Sequence, residues 1–191
     1  TFLAEPMKNF YLHRALKFNR AMSDYATLPD FALTPKSTLE MWVNSGGPDG
    51  TQCLLSKKWG ANDFRLLLTP NGIDNDVKIY LNGQEHTFGT LGIRYQHLAF
   101  TLDSSGNNRT VTAYKNGVPF GASVTFMGVT GNWSDTSQTW MLGARPSGVS
   151  QTDYFSGLVD EVAVYDSTLS QPRILEHFQN SRDPQEQGLR V

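Results

Sequence analysis

Residues 154–166 carry the sequence YFSGLVDEVAVYD, and this stretch near the end of the chain decides the fold. Its second half mixes β-branched and aromatic residues between a glycine and an Asp-Ser turn, which is typical of a β-strand. Alternation along that strand predicts that Asp160 shares a face with Val162 and Val164, while Glu161 points to the opposite face. A carboxylate among core valines needs a hydrogen-bonding or metal partner, because an unpaired buried charge is costly. The main question that the sequence raises is therefore which group binds the carboxylate of Asp160.

The rest of the chain is a succession of short strands separated by turn residues. Strand patterns occupy residues 15–19, 25–28, 37–43, 52–56, 64–68, 77–81, 96–102, 110–114, 118–120 and 139–142. Two of the turns between them are the Asn-Gly pairs Asn82-Gly83 and Asn116-Gly117. Such pairs are strong hairpin signals, because a type I′ turn needs positive φ at both central positions.

The period of the apolar residues changes only near the end of the chain. Ser170 is a suitable helix N-cap, Pro172 suits the first turn, and an apolar stripe follows. A short helix is therefore predicted over residues 171–179. About a dozen short strands followed by one helix predict an all-β fold, an antiparallel β-sandwich with one short C-terminal helix. A parallel α/β fold is excluded, because no helical segments separate the strands.

Length and composition restrict the functions that the chain can have. The 191 residues suit one domain, which we place at residues 1–180, with a polar tail or linker at residues 181–191. A formal net charge of -2 without a basic block argues against nucleic-acid binding. Cys53 is the only cysteine, so no intrachain disulfide forms. No apolar run approaches the roughly 20 residues of a membrane helix, so we expect no membrane insertion.

Seven short motifs occur along the chain in a characteristic order. They are LKFN at 16–19, LEMWV at 39–43, LLSK at 54–57, HLAFTL at 97–102, VTAYKNG at 111–117, WMLGA at 140–144 and FSGLVDEVAVY at 155–165. Through them, the chain from Ala15 to Phe178 resembles the laminin-G-like, concanavalin A-like jelly-roll family. Two positions depart from the family's pattern. Asn19-Arg20 stands where the family often has Asp-Gly, and Gln96 stands where it often has Trp.

This resemblance implies a jelly roll that recognises glycans or proteins outside cells and has no catalytic role. Relatives of this kind occur in adhesins, in modules attached to glycoside hydrolases and in phage structural proteins. The resemblance also implies a structural calcium ion. Its ligands would be Asp160 and Asn19, completed by nearby carbonyl oxygens, because calcium takes about six to eight oxygens. In the alternative, Asp160 accepts hydrogen bonds from backbone N–H groups of a neighbouring loop and no metal is bound.

No residue pattern in the sequence supports catalysis. Related glucanases carry the pattern Glu-x-Asp-x-x-Glu on one strand, and no such run exists here. Asp160 and Glu161, on opposite faces of a strand, cannot flank one glycosidic bond. Cys53 lies in an apolar strand, where an inert buried thiol is the ordinary case, and His97 is expected to be a packed, hydrogen-bonded histidine. We therefore assign no catalytic residue.

Aromatic and polar residues in loops are better candidates for ligand binding. These candidates are Trp59, Asn62, Trp133, Arg145 and Tyr154. An exposed aromatic ring beside amides and charges suits the apolar C–H face of a sugar, although loop tryptophans also cap the ends of sandwich cores. We predict an extracellular, cell-surface or virion module for recognition or adhesion, which binds a glycan or a surface protein. The alternatives are a structural domain of a virion or surface assembly and, third, an unusual glycanase.

Overall fold

The computed structural model describes residues 15–29, 31–59, 62–129 and 139–181, apart from the side chains of Trp59 and Ser105. The strands in this part of the chain are β1 (Leu16–Phe18), β2 (Ala26–Leu28), β3 (Lys36–Ser45), β4 (Gln52–Trp59), β5 (Asn62–Asn71), β6 (Asp74–Leu81), β7 (Gln84–Leu91), β8 (Gln96–Ser105), β9 (Asn108–Lys115), β10 (Val118–Pro119), β11 (Val124–Phe126), β12 (Trp140–Leu142), β13 (Arg145–Ser147), β14 (Ser150–Thr152) and β15 (Gly157–Tyr165). A 3₁₀ turn covers Arg20–Met22, and helix α1 covers Gln171–Asn180. Every predicted strand and the predicted helix are present, whereas β7, β11, β13 and β14 were not predicted.

The strands form an antiparallel sandwich of two large sheets. The seven-stranded sheet has the order β1-β15-β3-β8-β9-β10, with β11 also paired to β9, and the six-stranded sheet has the order β2-β12-β4-β5-β6-β7. Strands β13 and β14 pair with each other as a separate hairpin. The core between the two large sheets includes Leu39, Met41 and Val43 of β3 and Leu66, Val77 and Ile79 of β5 and β6. The predicted antiparallel jelly-roll sandwich is confirmed.

Both Asn-Gly pairs form the predicted hairpin turns. Asn82 has a φ of 47° and Asn116 a φ of 54°, and the glycine after each also has a positive φ. Each asparagine also accepts a hydrogen bond from a neighbouring strand. Asp63 N donates to Asn82 Oδ1 at 2.8 Å, and His97 N donates to Asn116 Oδ1 at 2.9 Å. The turns therefore fix the chain reversals from β6 to β7 and from β9 to β10.

Strand β15 is interrupted by a β-bulge. Its register against β3 shifts between Asp160, which pairs with Trp42, and Ala163, which pairs with Glu40. Two residues of β15 lie in this interval, against one residue of β3. Glu161, the first of the two, has a φ of 49°, a left-handed conformation that is uncommon outside glycine. An extra residue of this kind reverses the alternation of the side chains that follow it.

The bulge overturns the predicted environment of Asp160. Val159 is in the core before the bulge, and Val162 and Val164 pack against the core after it. Asp160 therefore lies on the outer face with Trp42, and the prediction that it shares a face with Val162 and Val164 is wrong. Asp160 is partly exposed and does not sit among core valines.

Helix α1 packs on the outer face of the seven-stranded sheet. Its residues Ile174 and Phe178 are buried, and the ring of Phe178 stacks on that of Trp42 with the centroids 5.6 Å apart. His177 Nδ1 lies 2.8 Å from Oε2 of Glu40, a buried carboxylate on the same outer face of β3. The helix therefore covers the central strands of this sheet.

Candidate functional site

The outer face of the six-stranded sheet carries a row of polar and aromatic side chains. The strand register places opposite one another Ser56 of β4, Arg65 of β5, Tyr80 of β6 and Glu85 of β7. Neighbouring residues along these strands, such as Leu66, lie in the core. Since side chains alternate along a strand, the row faces away from the core.

Arg65 is the most constrained side chain of the row. Its Nε donates to Asp63 Oδ1 at 2.8 Å, and its Nη2 donates to Asp63 Oδ2. Its guanidinium carbon lies 4.3 Å from the centroid of the Tyr80 ring, a cation–π contact. Burial disfavours the charge of Arg65, but the hydrogen bond and the charge of Asp63 outweigh burial, so the pKa of Arg65 is raised. The guanidinium is thus fixed in place, charged and about 20% exposed.

A second arginine–aspartate pair lies beside strand β4. Arg145 Nε donates to Asp153 Oδ2 at 2.5 Å, across the β13–β14 hairpin. The backbone of Asp153 is anchored to the six-stranded sheet, since Cys53 N donates to its carbonyl oxygen at 2.7 Å. The next residue, Tyr154, lies against Tyr25 with the two ring centroids 6.5 Å apart. The hairpin and the residues that follow it therefore bring a guanidinium, a carboxylate and one aromatic ring beside β4, and Tyr25, just before β2, adds a second ring.

Both ion pairs influence the thiol of Cys53. Burial raises the pKa of this thiol to about 12, although a hydrogen bond with Ser56 lowers it. The charge of Asp153 raises the pKa further, and the charges of Arg145 and Arg65 lower it. The thiol itself is fully buried, as predicted from the apolar strand.

We call this surface the polar face. It comprises the residues Tyr25, Asp63, Arg65, Tyr80, Arg145, Asp153 and Tyr154. It combines three aromatic rings with two guanidinium groups and two carboxylates.

Two of the five predicted ligand-binding residues, Arg145 and Tyr154, lie on the polar face. Asn62 lies at the start of β5, where its Oδ1 accepts a hydrogen bond from Asn82 Nδ2 at 3.0 Å and so supports a hairpin turn. The backbone of Trp59 pairs with Asn62 across the β4–β5 hairpin. The side chain of Trp59 and the whole of Trp133 lie outside the described residues.

Five residues of the polar face were not predicted from the sequence. They are Tyr25, Asp63, Arg65, Tyr80 and Asp153. A signal for two of them was present, because Arg65 and Tyr80 are polar-tipped residues at alternate positions of otherwise apolar strands. Arg65 and Tyr80 lie side by side only because of the β5–β6 register. The turn at Asn82-Gly83 does not set this register, since it connects β6 to β7.

Asp160 and Asn19, the predicted calcium ligands, do not come together in the structure. Leu16 pairs with Val159 and Phe18 with Gly157, so Asn19 lies beyond the last pair of the β1–β15 ladder. At about 3.3 Å per residue, it is roughly 13 Å along the strand from the level of Asp160.

Each of the two side chains has a local role instead. Asn19 Oδ1 accepts a hydrogen bond from Ala21 N at 2.9 Å and caps the 3₁₀ turn. Asp160 Oδ1 accepts one from Glu161 N at 2.8 Å. This donor is the next residue of the same strand, whereas the alternative prediction placed the donors in a neighbouring loop. Burial, and then the charge of Asp160, raise the pKa of Tyr95 on the same outer face. Within residues 15–29, 31–59, 62–129 and 139–181, no three or more His, Cys, Asp or Glu side chains form a group that could hold a metal. Calcium binding stays a prediction.

The two antiparallel sheets, packed as a sandwich, define a lectin-like fold. The chain belongs to the concanavalin A-like lectin/glucanases superfamily, whose family model matches residues 20–175. This confirms the family resemblance found in the sequence. No curated protein matches the chain in sequence. The helix of the described region is too short and too polar to cross a membrane.

Solved structures with the same fold include carbohydrate-binding domains. Domain 4 of AbnA, an extracellular GH43 arabinanase from Geobacillus stearothermophilus in complex with arabinotriose, is 19% identical, with a TM-score of 0.57 over 78% of this chain and 70% of that one. The CBM40 of Ruminococcus gnavus IT-sialidase, bound to α2,3 sialyllactose, is 18% identical, with a TM-score of 0.52 over 75% of this chain and 82% of that one. A heptameric SAP-like pentraxin from Limulus polyphemus is 15% identical, with a TM-score of 0.58 over 87% of this chain and 76% of that one. At these identities the likeness concerns the fold.

Proposed function

We propose that this chain is a glycan-binding module whose ligand lies on the polar face. The observation that carries the proposal is the arrangement around Arg65, whose guanidinium lies over the Tyr80 ring while Asp63 holds its N–H groups. A sugar needs this combination, namely apolar surface for its C–H groups and fixed donors and acceptors for its hydroxyls. Structures of the same fold in complex with arabinotriose and sialyllactose support the proposal.

The remaining rings extend the platform toward the β13–β14 hairpin. Tyr25 is 42% exposed and its ring is tilted by 43° against that of Tyr154. Arg145 and Asp153 precede Tyr154 in the same hairpin and offer a second donor–acceptor pair. A ligand of several sugar units would span from Tyr80 to this tyrosine pair.

The other large sheet offers a less suitable surface. Helix α1 covers its central strands, and Trp42 on that face is stacked on Phe178 and donates from Nε1 to Ser181 Oγ at 3.0 Å. Aromatic surface that is already packed by the helix is not free to stack on a sugar. This contrast favours the six-stranded sheet as the binding face.

In the proposal, the carboxylates of the polar face act as hydrogen-bond acceptors and carry out no catalysis. Asp63 and Asp153 are each bound to an arginine. A carboxylate that is held in this way suits the acceptance of sugar hydroxyls better than proton donation to a glycosidic oxygen. The module would act outside the cell in recognition or adhesion.

Glycan-array screening followed by calorimetry tests the proposal. Tyr80→Ala and Arg65→Met are expected to weaken binding of the best ligand by about tenfold or more, since stacking and paired hydrogen bonds each contribute more than about 1 kcal/mol. The matched controls are Tyr114→Ala on the outer face of β9 and Arg173→Met on helix α1. Both controls are expected to bind like the wild type.

Two outcomes would count against the proposal. Equal losses in the Tyr80 and Tyr114 variants would place the ligand elsewhere. Absence of binding to every glycan, together with self-association of the chain in solution, would favour the alternative of a structural domain in a surface assembly or virion.

A further inference from the structure

We infer that the polar face selects neutral glycans over glycans that carry carboxylates. The inference rests on the proposed glycan-binding function and concerns the same surface. It follows from the ion pairs that Arg65 and Arg145 already form with Asp63 and Asp153.

One of the two edges at which the guanidinium of Arg65 could bind a carboxylate through paired hydrogen bonds is already occupied. Nε and Nη2 form this edge, and both donate to the carboxylate of Asp63. The other edge, Nη1 with Nη2, shares Nη2 with this pair. Asp63 is buried, with 11% of its side chain exposed. A ligand carboxylate could take the edge of Nε and Nη2 only by displacing Asp63, which would leave a buried charge without its partner.

The second arginine is paired in a similar way. Arg145 Nε donates to Asp153 Oδ2, and both side chains are only about a quarter exposed or less. A ligand carboxylate that approached the remaining N–H groups of Arg145 would lie close to the negative charge of Asp153. Repulsion between the two carboxylates would offset the attraction to the guanidinium.

Apart from Lys58, the charges named on this surface form ion pairs. Lys78 Nζ, one strand away from Arg65, lies 2.9 Å from Glu85 Oε1. Lys58 is exposed on the outside of β4, opposite Asp63, where solvent screens its charge. The polar face therefore exerts only a weak long-range electrostatic attraction on anions.

Neutral hydroxyl groups fit this arrangement without displacing any partner. A sugar hydroxyl can donate to a carboxylate oxygen and accept from an N–H group of the adjacent arginine. Arginine has five N–H donors, so Arg65 keeps three and Arg145 keeps four beyond those that bind the aspartates. Adjacent hydroxyls on one sugar ring would therefore satisfy both members of an arginine–aspartate pair.

Binding of matched glycan pairs tests the inference. Lactose and sialyllactose form one pair. Methyl-esterified and free oligogalacturonides form another, in which the ester removes the charge and leaves the sugar units unchanged. We expect the neutral member of each bound pair to have a lower Kd by about tenfold. We also expect its Kd to change less than about twofold between roughly 50 and 500 mM NaCl, because no net ion pairing is involved.

Variants with one unpaired arginine give a second test. Asp153→Asn frees Arg145, and Asp153 has a φ of 53°, a conformation that asparagine also tolerates. This variant is expected to shift preference toward the carboxylate-bearing glycan by about tenfold or more. The control Glu176→Gln frees Arg173 on helix α1, away from the polar face, and is expected to leave the preference unchanged.

The outcomes separate the inference from the function on which it rests. If the wild type prefers the carboxylate-bearing members, or if its Kd rises steeply with salt, the selection of neutral glycans is overturned and glycan binding stands. If neither pair nor any other glycan binds, the proposed function is overturned and the inference fails with it. An unchanged preference in Asp153→Asn would also contradict the inference, because pairing with Asp153 would not be the cause.

Discussion

His97 makes the stability of this fold depend on pH on the acid side of neutrality. Its side chain is 3% exposed and lies beneath helix α1, with its ring centroid 5.4 Å from that of Trp42 and 6.2 Å from that of Phe178. Burial, and then the charge of His177, lower the pKa of His97 from 6.5 to about 4. In the unfolded chain the imidazole takes up a proton near its ordinary pKa, whereas the folded chain resists protonation. This contribution to the free energy of unfolding is therefore fully present above pH 6.5 and is lost as the pH falls toward 4.

The size of this loss follows from the pKa shift. A difference of about 2.5 pH units corresponds to about 3 kcal/mol of unfolding free energy. His97→Phe keeps an aromatic ring in the same apolar surroundings and removes the titrating group. We expect urea unfolding between about pH 7.5 and pH 4 to show a smaller loss of stability in this variant than in the wild type, by about 3 kcal/mol. The control is His86→Phe on the six-stranded sheet. If His97→Phe loses as much stability as the wild type over this interval, the burial of neutral His97 is not the cause.

Three further predictions concern turns, packing and metal binding. Gly143→Ala is expected to cost more than about 2 kcal/mol in urea unfolding, because a Cβ would lie 2.6 Å from Phe18 Cδ1 on a backbone with a φ of 84°. Gly148→Ala, in open space with a φ of 61°, should cost only about 1 kcal/mol, and equal losses would contradict the packing explanation. Asn116→Ala removes a hydrogen bond to β8 and a residue suited to positive φ, so we expect a loss of about 1–2 kcal/mol, and an unchanged melting temperature would refute that role. If calcium is bound, it should raise the melting temperature, and Asp160→Ala should abolish the rise; a chelator without effect on the wild type would remove the calcium hypothesis.

Most of the fold could be predicted because its signals are local. The two Asn-Gly turns and the apolar alternation of strands such as β3 and β6 each depend on a few adjacent residues. Strand β7 was not predicted, because its exposed polar residues Gln84, Glu85 and Thr87 hide the alternation of an edge strand. The β13–β14 hairpin was not predicted, because each of its strands has only three residues.

The environment of Asp160 could not be predicted from periodicity. The bulge places a non-glycine residue, Glu161, at positive φ, and no glycine or asparagine marks the position. Nothing in the local sequence therefore indicates where the alternation reverses. The position of the reversal depends on the pairing of β15 with β3, which lies far away in the sequence.

The candidate site was predicted only in part for a similar reason. Arg145 and Tyr154 could be found because they flank a loop with turn chemistry. Arg65 and Tyr80 belong to strands, and their contact exists only once β5 and β6 are aligned residue by residue. A search for aromatic residues in loops cannot detect a site that is built on the face of a sheet.

The bulge in β15 also has a consequence for insertions and deletions in this strand. Between the pairs Asp160–Trp42 and Ala163–Glu40, Glu161 and Val162 face the single residue Met41. A chain that lacked Glu161 would place Val162 directly opposite Met41 and would restore an uninterrupted alternation, with Asp160 still outside the core. In this interval β15 thus has one residue more than its partner β3. A single deletion, normally disruptive within a sheet, is at this position compatible with the existing core.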